Sequence, residues 1–195
     1  MRLRICTFGE PILRTQGKTV TAFDLPLRHL TNDMIETMHA NQGIGLAAQQ
    51  IGRDLQLCMV DISTLFPKQP CHYRYDGKTP PIELLMPLVL INPVVKPVPE
   101  PQSPYNEGCL SFPGILAEVF RPERIHVAFH DWDGQPHELS CDGLLARVIQ
   151  HEVDHINGIL FIDRMEKRVA KSLQARLKKL QRQTRDQIKS RESQR

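Results

Sequence analysis

The segment HEVDHINGILF, residues 151–161, contains two histidines four positions apart with a glutamate directly after the first. Positions i and i+4 share one face of a helix, so both imidazoles can bind one metal ion and the glutamate can serve as a base. A catalytic metal centre of this type has three protein ligands and leaves a fourth position for water. One large class of metalloproteases places its third histidine where this chain has Phe161. The pattern therefore predicts a metal-dependent hydrolase whose third ligand lies elsewhere.

A motif this short also arises by chance, and His151, Glu152 and His155 could be ordinary helix residues. The helix, predicted to open near Asp142, is apolar over most of its circumference, so we expect it to be buried. The residues behind this expectation are Leu144, Leu145, Val148, Ile149, Val153 and Ile156. A lone carboxylate is costly to bury, whereas beside a metal ion and its water it has a use. The metal site is therefore favoured.

Acidic residues near the helix are poor candidates for the third ligand. Asp163 and Glu166 lie at or just beyond the predicted helix end, too close in sequence to fold back easily. Asp154 lies between the two histidine rows, so we expect it to contact a ligand side chain and not the metal. The missing ligand is therefore expected upstream of the helix.

Five cysteines lie upstream of His151. Cys58 falls in an apolar strand, Cys71 in a proline-rich segment, and Cys141 beside the helix start. Cys109, in the segment EGCLSFP, precedes the first histidine by 42 residues and would complete a Cys-His-His site. From spacing alone, a small buried cysteine in a turn is as good an interpretation of Cys109. These residues by themselves leave the third ligand open.

Composition indicates one soluble globular domain with an appendage, since 41% of the 195 residues are apolar and 24% are charged. The N-terminus lacks a secretory signal pattern, and an odd number of cysteines is typical of reduced thiols, so we expect a cytoplasmic protein. Residues 167–195 contain 11 Lys/Arg and two acids, while residues 1–166 have a net charge of −6. The chain is therefore divided into a catalytic domain, 1–166, and a basic C-terminal helix and tail, 167–195.

The periodicity predicts an α+β fold in which antiparallel strands surround a buried central helix that carries HExxH. Asp24 followed by Pro26 predicts a helix start, and Gly43 is expected to end that helix in a left-handed conformation. Strands are predicted at 55–61, 88–91, 115–119, 125–129 and 137–141, and residues 63–87 are expected to be irregular. An apolar stripe at Val169, Leu173, Leu177 and Leu180 predicts an amphipathic basic helix docked on the body.

Three segments occur in the order that is typical of one enzyme family. G43-I-G-L-A-A-Q-Q50, E107-G-C-L-S111 and H151-E-V-D-H155 resemble the three motifs of peptide deformylases, and F8-G-E-P-I-L-R14 resembles that family's N-terminal segment. The resemblance covers roughly residues 5–166, and three ordered motifs are far more specific than one. It implies that Cys109, His151 and His155 hold the metal.

The resemblance further implies removal of the formyl group from the N-terminal formyl-methionine of new proteins, with release of formate. Metal-activated water would attack the formyl carbon, with Glu152 as general acid and base. Gln50 and the Leu110 N–H would stabilise the oxyanion, and Gly45 would let the backbone pass close to the site. The resemblance favours Fe²⁺, although these ligand types also accept Zn²⁺, Ni²⁺ or Co²⁺. A methionine slot is expected from neighbouring residues, namely Gly43, Ile44, Leu144 and Val148.

The expected partners are N-formyl-methionyl peptides and, through the basic C-terminal helix, the ribosome surface; no membrane or DNA partner is expected. Two alternatives remain at this stage: a zinc peptidase that cleaves unformylated peptides, and an RNA-binding protein whose basic tail is the functional part. Gln49 and Leu116 depart from the residues common in the family, and the segment 63–87 is longer than in many relatives.

Overall fold

The computed structural model describes residues 1–99 and 102–193, which form two antiparallel sheets and four α-helices. The strands are β1 (Gly45–Ala47), β2 (Leu57–Val60), β3 (Tyr73–Tyr75), β4 (Leu88–Pro97), β5 (Gln102–Gly108), β6 (Leu116–Pro122), β7 (Arg124–His130) and β8 (Pro136–Asp142). The helices are α1 (Leu25–Ala40), α2 (Ile82–Leu85), α3 (Gly143–Ile156) and α4 (Lys167–Glu192). The larger sheet has the order β1-β2-β4-β7-β8-β3, and β5 pairs with β6 in the smaller one. The α+β class with antiparallel strands is confirmed.

Helix α3 lies between the two sheets. On one side, Leu145 and Ile149 are fully buried in a cluster with side chains of β2, β4, β7 and β8. On the other side, Arg147 and Gln150 donate hydrogen bonds to backbone carbonyls of β6, at Val119 (3.1 Å) and Pro122 (3.0 Å). The polar side chains of this buried helix are therefore directed towards the smaller sheet.

Helix α1 covers the opposite face of the larger sheet, with Met34 and Met38 buried against it. Asp24 accepts a hydrogen bond from the Leu27 N–H at 3.0 Å and caps the helix, as predicted. The predicted end was wrong, because Gln42, and not Gly43, has the positive φ of 56°. The Gly43 N–H still bonds to the Met38 carbonyl at 2.9 Å, which closes the helix end.

Two segments contain more regular structure than the sequence predicted. The segment 63–87 contains β3, which pairs with β8 at the edge of the larger sheet, and the short helix α2. Strand β5, which contains Pro104, was not predicted, and it pairs with β6 along its whole length. The second edge of β5 is unpaired in the described chain, and proline is tolerated on such edge strands. Residue composition alone therefore did not predict the strand that leads into the EGCLS motif.

The predicted apolar stripe of helix α4 packs on a separate cluster of buried hydrophobic side chains, which contains Phe112, Phe161 and Leu13. Further along, the buried Thr184 hydroxyl lies 2.9 Å from that of Thr7. The basic side chains of α4 are exposed. In the part of the chain that is described, no helix combines the length and the apolar character needed to cross a membrane.

Candidate active site and metal centre

The side chains of Cys109, His151 and His155 converge where β5 ends against α3. One potential ligand atom from each lies within 4.8 Å of the others, and the Cys109 Sγ is 3.2 Å from the His155 Nε2. The histidines occupy consecutive turns of α3, and Cys109 reaches them because the small sheet packs on this helix. Metal bonds to sulfur and nitrogen measure about 2.0–2.3 Å, so small shifts would bring all three donors onto one ion. The cluster fits a metal ion.

The pKa values of the two histidines shift in opposite directions. Burial opposes protonation of His151, but hydrogen bonds with Cys109 and Glu107 raise its pKa to about 10. The metal-free site thus favours a positive charge on this imidazole, and a divalent cation bound at its Nε2 would replace the proton. Burial lowers the pKa of His155, which therefore remains a neutral imidazole able to bind metal.

Glu107 orients the first histidine of the motif. Its carboxylate lies 2.9 Å from the His151 Nδ1, which leaves the Nε2 able to bind a metal ion. Burial would raise the Glu107 pKa, but hydrogen bonds from His151 and Arg121 lower it to about 2. Arg121 (2.7 and 3.0 Å) and Arg147 (3.0 Å) hold the same carboxylate. Sequence reasoning missed this role, although Glu107 stands two residues before the cysteine in the EGCLS motif.

Asp154 does not make the contact with a ligand side chain that the sequence predicted. Its hydrogen bonds go to Arg121 at 2.6 Å and to Arg164 at 3.1 and 2.6 Å, and not to a proposed metal ligand. Arg121 in turn holds Glu107, so Asp154 is two side chains away from His151. Its position between the histidine rows directs it towards β6, where the Arg121 guanidinium lies.

Glu152 is buried beside the convergent ligands with an incomplete set of hydrogen bonds. Its Oε2 has no partner among residues 1–99 and 102–193, and burial raises its pKa to about 7. Gly45 makes room for it, since a Cβ at that position would lie 2.3 Å from the Glu152 Oε1. A carboxyl group with a pKa near neutrality can both accept and return a proton at working pH.

Gln50 directs its amide NH₂ towards the proposed metal centre. Its Nε2 lies 3.4 Å from the Cys109 Sγ and 3.3 Å from the Ser111 hydroxyl, while its Oε1 accepts from the Ala47 N–H at 2.8 Å. The adjacent Gln49 is also buried, with its Nε2 3.4 Å from the Thr15 carbonyl. The segment around them contains the edge strand β1 and a 3-10 turn at Ala48–Ile51.

A cavity of about 580 Å³ opens onto these groups. Its lining includes all the residues expected to bind substrate, which are Gly43, Ile44, Leu144 and Val148. The lining also includes the proposed catalytic residues Gly45, Gln50, Leu110 and Glu152, together with Cys109 and His151. His155 is not part of the lining, because it is buried behind the Cys109 thiol. The structure thus brings together the predicted residues around one apolar pocket.

The rejected ligand candidates have other contacts. The Phe161 ring is buried with its centroid 5.9 Å from that of His151, so it packs beside a proposed metal ligand. Cys58 and Cys141 are buried in the main core. Asp163 pairs with Arg14 and accepts from the Leu160 N–H.

Comparison with known proteins gives one consistent result. The family model described as "Polypeptide deformylase" matches residues 2–171. The curated peptide deformylase of Opitutus terrae is 49% identical over 186 residues, which is 95% of this chain and 96% of that protein. The structure of Arabidopsis thaliana peptide deformylase 1B in complex with an inhibitor is 34% identical, with a TM-score of 0.80 and coverage of 95% and 93%. The peptide deformylase of Thermotoga maritima is 37% identical, with a TM-score of 0.72 and coverage of 85% and 99%.

Proposed function

The chain belongs to the peptide deformylase family, and from this premise we propose that it removes the formyl group from the N-terminal formyl-methionine of newly made proteins. The products would be formate and a free amino terminus. The observation that carries the proposal is the buried Glu152, whose Oε2 has no hydrogen-bond partner among the described residues and which lies beside the convergent Cys109, His151 and His155 at an apolar cavity. A carboxyl group in this environment is suited to moving protons during amide hydrolysis.

Cys109, His151 and His155 would hold one divalent metal ion, with Glu107 fixing the His151 tautomer. When bound, the ion would supply a water activated for attack on an amide carbon. Fe²⁺ is the ion we propose, while Zn²⁺, Ni²⁺ and Co²⁺ suit the same ligand types.

The chain's own residues carry the remaining steps. Glu152 takes the proton from the attacking water and later delivers it to the departing amine of methionine. The Gln50 NH₂ and the Leu110 N–H donate hydrogen bonds to the formyl oxygen as it gains negative charge. Gly45 permits this arrangement because any larger residue would collide with Glu152.

The methionine side chain is assigned to the apolar part of the cavity. Leu144 and Val148 lie one turn apart on α3, and Val148 precedes His151 by three residues, so all three face the same side of the helix. Ile44 and Gly43 form a second wall. A slot of this character accepts an unbranched apolar side chain such as methionine.

Hydrolysis of formyl-Met-Ala-Ser by anaerobically purified, iron-loaded protein tests the function. We expect release of formate and Met-Ala-Ser with no cleavage between residues, because the cavity is proposed to bind the formylated terminus. Unformylated Met-Ala-Ser and an unformylated longer peptide are the controls. Cleavage of internal bonds in the longer peptide would establish the zinc peptidase alternative and overturn the proposal.

We also propose that the basic face of α4 contacts the ribosome, where formylated chains emerge. The apolar face of α4 is packed on the body, which leaves Arg182, Arg185 and Lys189 exposed. Replacement of these three residues by glutamine should leave formyl-Met-Ala-Ser hydrolysis within about twofold of wild type and weaken ribosome binding. Each lost phosphate contact weakens the salt dependence of binding. The negative slope of log affinity against log salt should therefore become shallower by about one unit per contact.

Sedimentation with ribosomes across a salt series measures this effect. The triple substitution is a cleaner test than deletion of residues 182–195, because deletion also removes the buried Thr184 and its contact with Thr7. Equal, salt-insensitive binding by wild type and variant would show that the basic face is only a solvated helix surface.

A further inference from the structure

Gln49 is a buried polar side chain that the proposed chemistry does not use. None of its surface is exposed, and its Oε1 has no hydrogen-bond partner in the described chain. An unpaired amide oxygen in the interior lowers the stability of a protein, so its retention indicates a compensating role. Gln49 directly precedes Gln50, the proposed oxyanion donor, and this position connects that role with the active site.

The NH₂ group of Gln49 joins two other segments of the chain. Its Nε2 lies 3.4 Å from the Ile156 carbonyl, at the end of α3, and 3.4 Å from the Thr15 carbonyl in the N-terminal segment. Each of its two N–H bonds can therefore reach one acceptor. Rotation of the amide by 180° would place the Oε1 against both carbonyl oxygens, so the neighbours fix the amide orientation. The Oε1 is unpaired because the NH₂ group occupies the side with the acceptors.

The carbonyl of Ile156, the last residue of α3, is an anchor point for several donors. It also accepts hydrogen bonds from the Gly17 N–H at 2.7 Å and from the Gln56 Nε2 at 3.2 Å. Gly17 can approach because it lacks a side chain, since a Cβ there would lie 2.9 Å from the Gln49 Nε2. Of these three donors, only Gln49 belongs to the 3-10 turn at Ala48–Ile51.

This 3-10 turn brings Gln50 to the proposed metal centre from outside α3. The Gln50 Nε2 lies 3.4 Å from the Cys109 Sγ, and its backbone carbonyl accepts from the Cys6 N–H at 2.7 Å. A catalytic donor must be held within about 0.5 Å of its working position, and a misplacement of about 1 Å can cost 10²-fold in rate. The hydrogen bond from Gln49 connects the residue before Gln50 with Ile156, the residue after His155.

We propose that Gln49 is a positioning residue, which holds the Gln50 amide in register with the end of α3 through its hydrogen bond to Ile156. The inference rests on the proposed function, in which Gln50 stabilises the oxyanion and His155 binds the metal. Gln49 is absent from the lining of the catalytic cavity, so it contacts no substrate. Its whole effect on the reaction is therefore exerted through Gln50.

The test is a double-substitution cycle on kcat for formyl-Met-Ala-Ser, with Gln49→Met and Gln50→Ala. Gln49→Met keeps the size of the side chain without its NH₂ group, and we expect kcat to fall by about 10–100-fold with KM and metal content unchanged. Gln50→Ala should lower kcat by about 10²–10³-fold. The double variant should be no slower than Gln50→Ala alone, because Gln49 has no effect once its target is removed.

The unfolding temperature of the metal-free proteins separates positioning from core packing. Both hydrogen bonds of Gln49 are long, and methionine removes the unpaired Oε1, so Gln49→Met should unfold at the wild-type temperature or above it. Gln49→Asn is a second variant, which keeps the amide on a side chain one methylene shorter and should lower kcat in the same way. Gln56→Met is the matched control, since it removes another donor to the Ile156 carbonyl from outside the turn. Its kcat should stay within about twofold of the wild type.

Three results would overturn this inference while the wild type hydrolyses formyl-Met-Ala-Ser normally. They are a double variant slower than Gln50→Ala by the full Gln49→Met factor, equal kcat for Gln49→Met and Gln56→Met, and loss of folding in both Gln49 variants. The last would assign Gln49 to the core alone. Failure of the iron-loaded wild type to release formate would instead overturn the proposed function, and the positioning role with it.

Discussion

We expect Glu152→Gln to bind as much metal as the wild type and to hydrolyse formyl-Met-Ala-Ser about 10²–10⁴-fold more slowly. Glutamine keeps the shape of the side chain beside Gly45 but can neither accept nor return a proton. Glu152 contributes no atom to the converging cluster of potential ligands, so the metal content should not change. Steady-state kinetics and metal analysis of the same preparation measure the two quantities together.

A stability measurement separates this catalytic role from a structural one. The Glu152 carboxyl is buried, and its Oε2 has no partner in the described part of the chain. Burial raises its pKa to about 7, so its charged form is unfavourable in the folded protein. The metal-free Glu152→Gln protein should therefore unfold at a higher temperature than the metal-free wild type at pH 8. Loss of metal, or a lower unfolding temperature together with the lost activity, would count against the assigned role.

Cys109→Ser is expected to have the second largest effect, with loss of bound metal and of most activity in a protein that stays folded. A neutral hydroxyl is a much poorer ligand than a thiolate, and two imidazoles alone leave the centre one ligand short. Because Cys109 lies at the cavity and not in the main core, the substitution leaves no large core void. Metal content after dialysis, with circular dichroism as the check of folding, measures the outcome.

The control for this prediction is Cys141→Ser, a buried cysteine of the main core. It should lower the stability but leave the metal content at the wild-type value. Cys58 is a less suitable control, because its thiol is close enough to Glu152 for that charge to raise its pKa further. Metal should also raise the unfolding temperature of the Cys141→Ser protein and not that of Cys109→Ser, since only a native site gains stability from its ligand. Normal metal content in Cys109→Ser would show that another residue is the third ligand.

Several features followed from local sequence alone. The two histidines share a face because the helix repeat places i and i+4 together, and the apolar pattern of α3 predicted that this face would be buried. The Asp24 cap and the pairing of β7 with β8 are likewise set by nearby residues. The proposed third ligand did not follow from local sequence, since 42 residues separate Cys109 from His151 and only the family resemblance selected it over a structural cysteine.

The incorrect predictions failed because contacts between different elements of the fold decided these features. Gly43 was expected to supply a left-handed helix end, but its lack of a side chain serves another purpose, because a Cβ there would lie 2.8 Å from the Leu110 Cδ1. Gln42 adopts the positive φ in its place. Asp154 was expected to contact a proposed ligand, but it accepts a hydrogen bond from Arg121 on the neighbouring strand instead. Strand β5 was missed because its pairing with β6, and not its own composition, makes it a strand.

By itself, then, the sequence determined the HExxH helix, the charge division of the chain and the class of chemistry, since these depend on residue type and on spacing within one element. The tertiary structure alone decided that Glu107 holds His151 and that Gly45 accommodates Glu152. Each of these contacts joins residues from different elements. Their distances depend on how the small sheet packs against α3, and no local pattern in the chain encodes that packing.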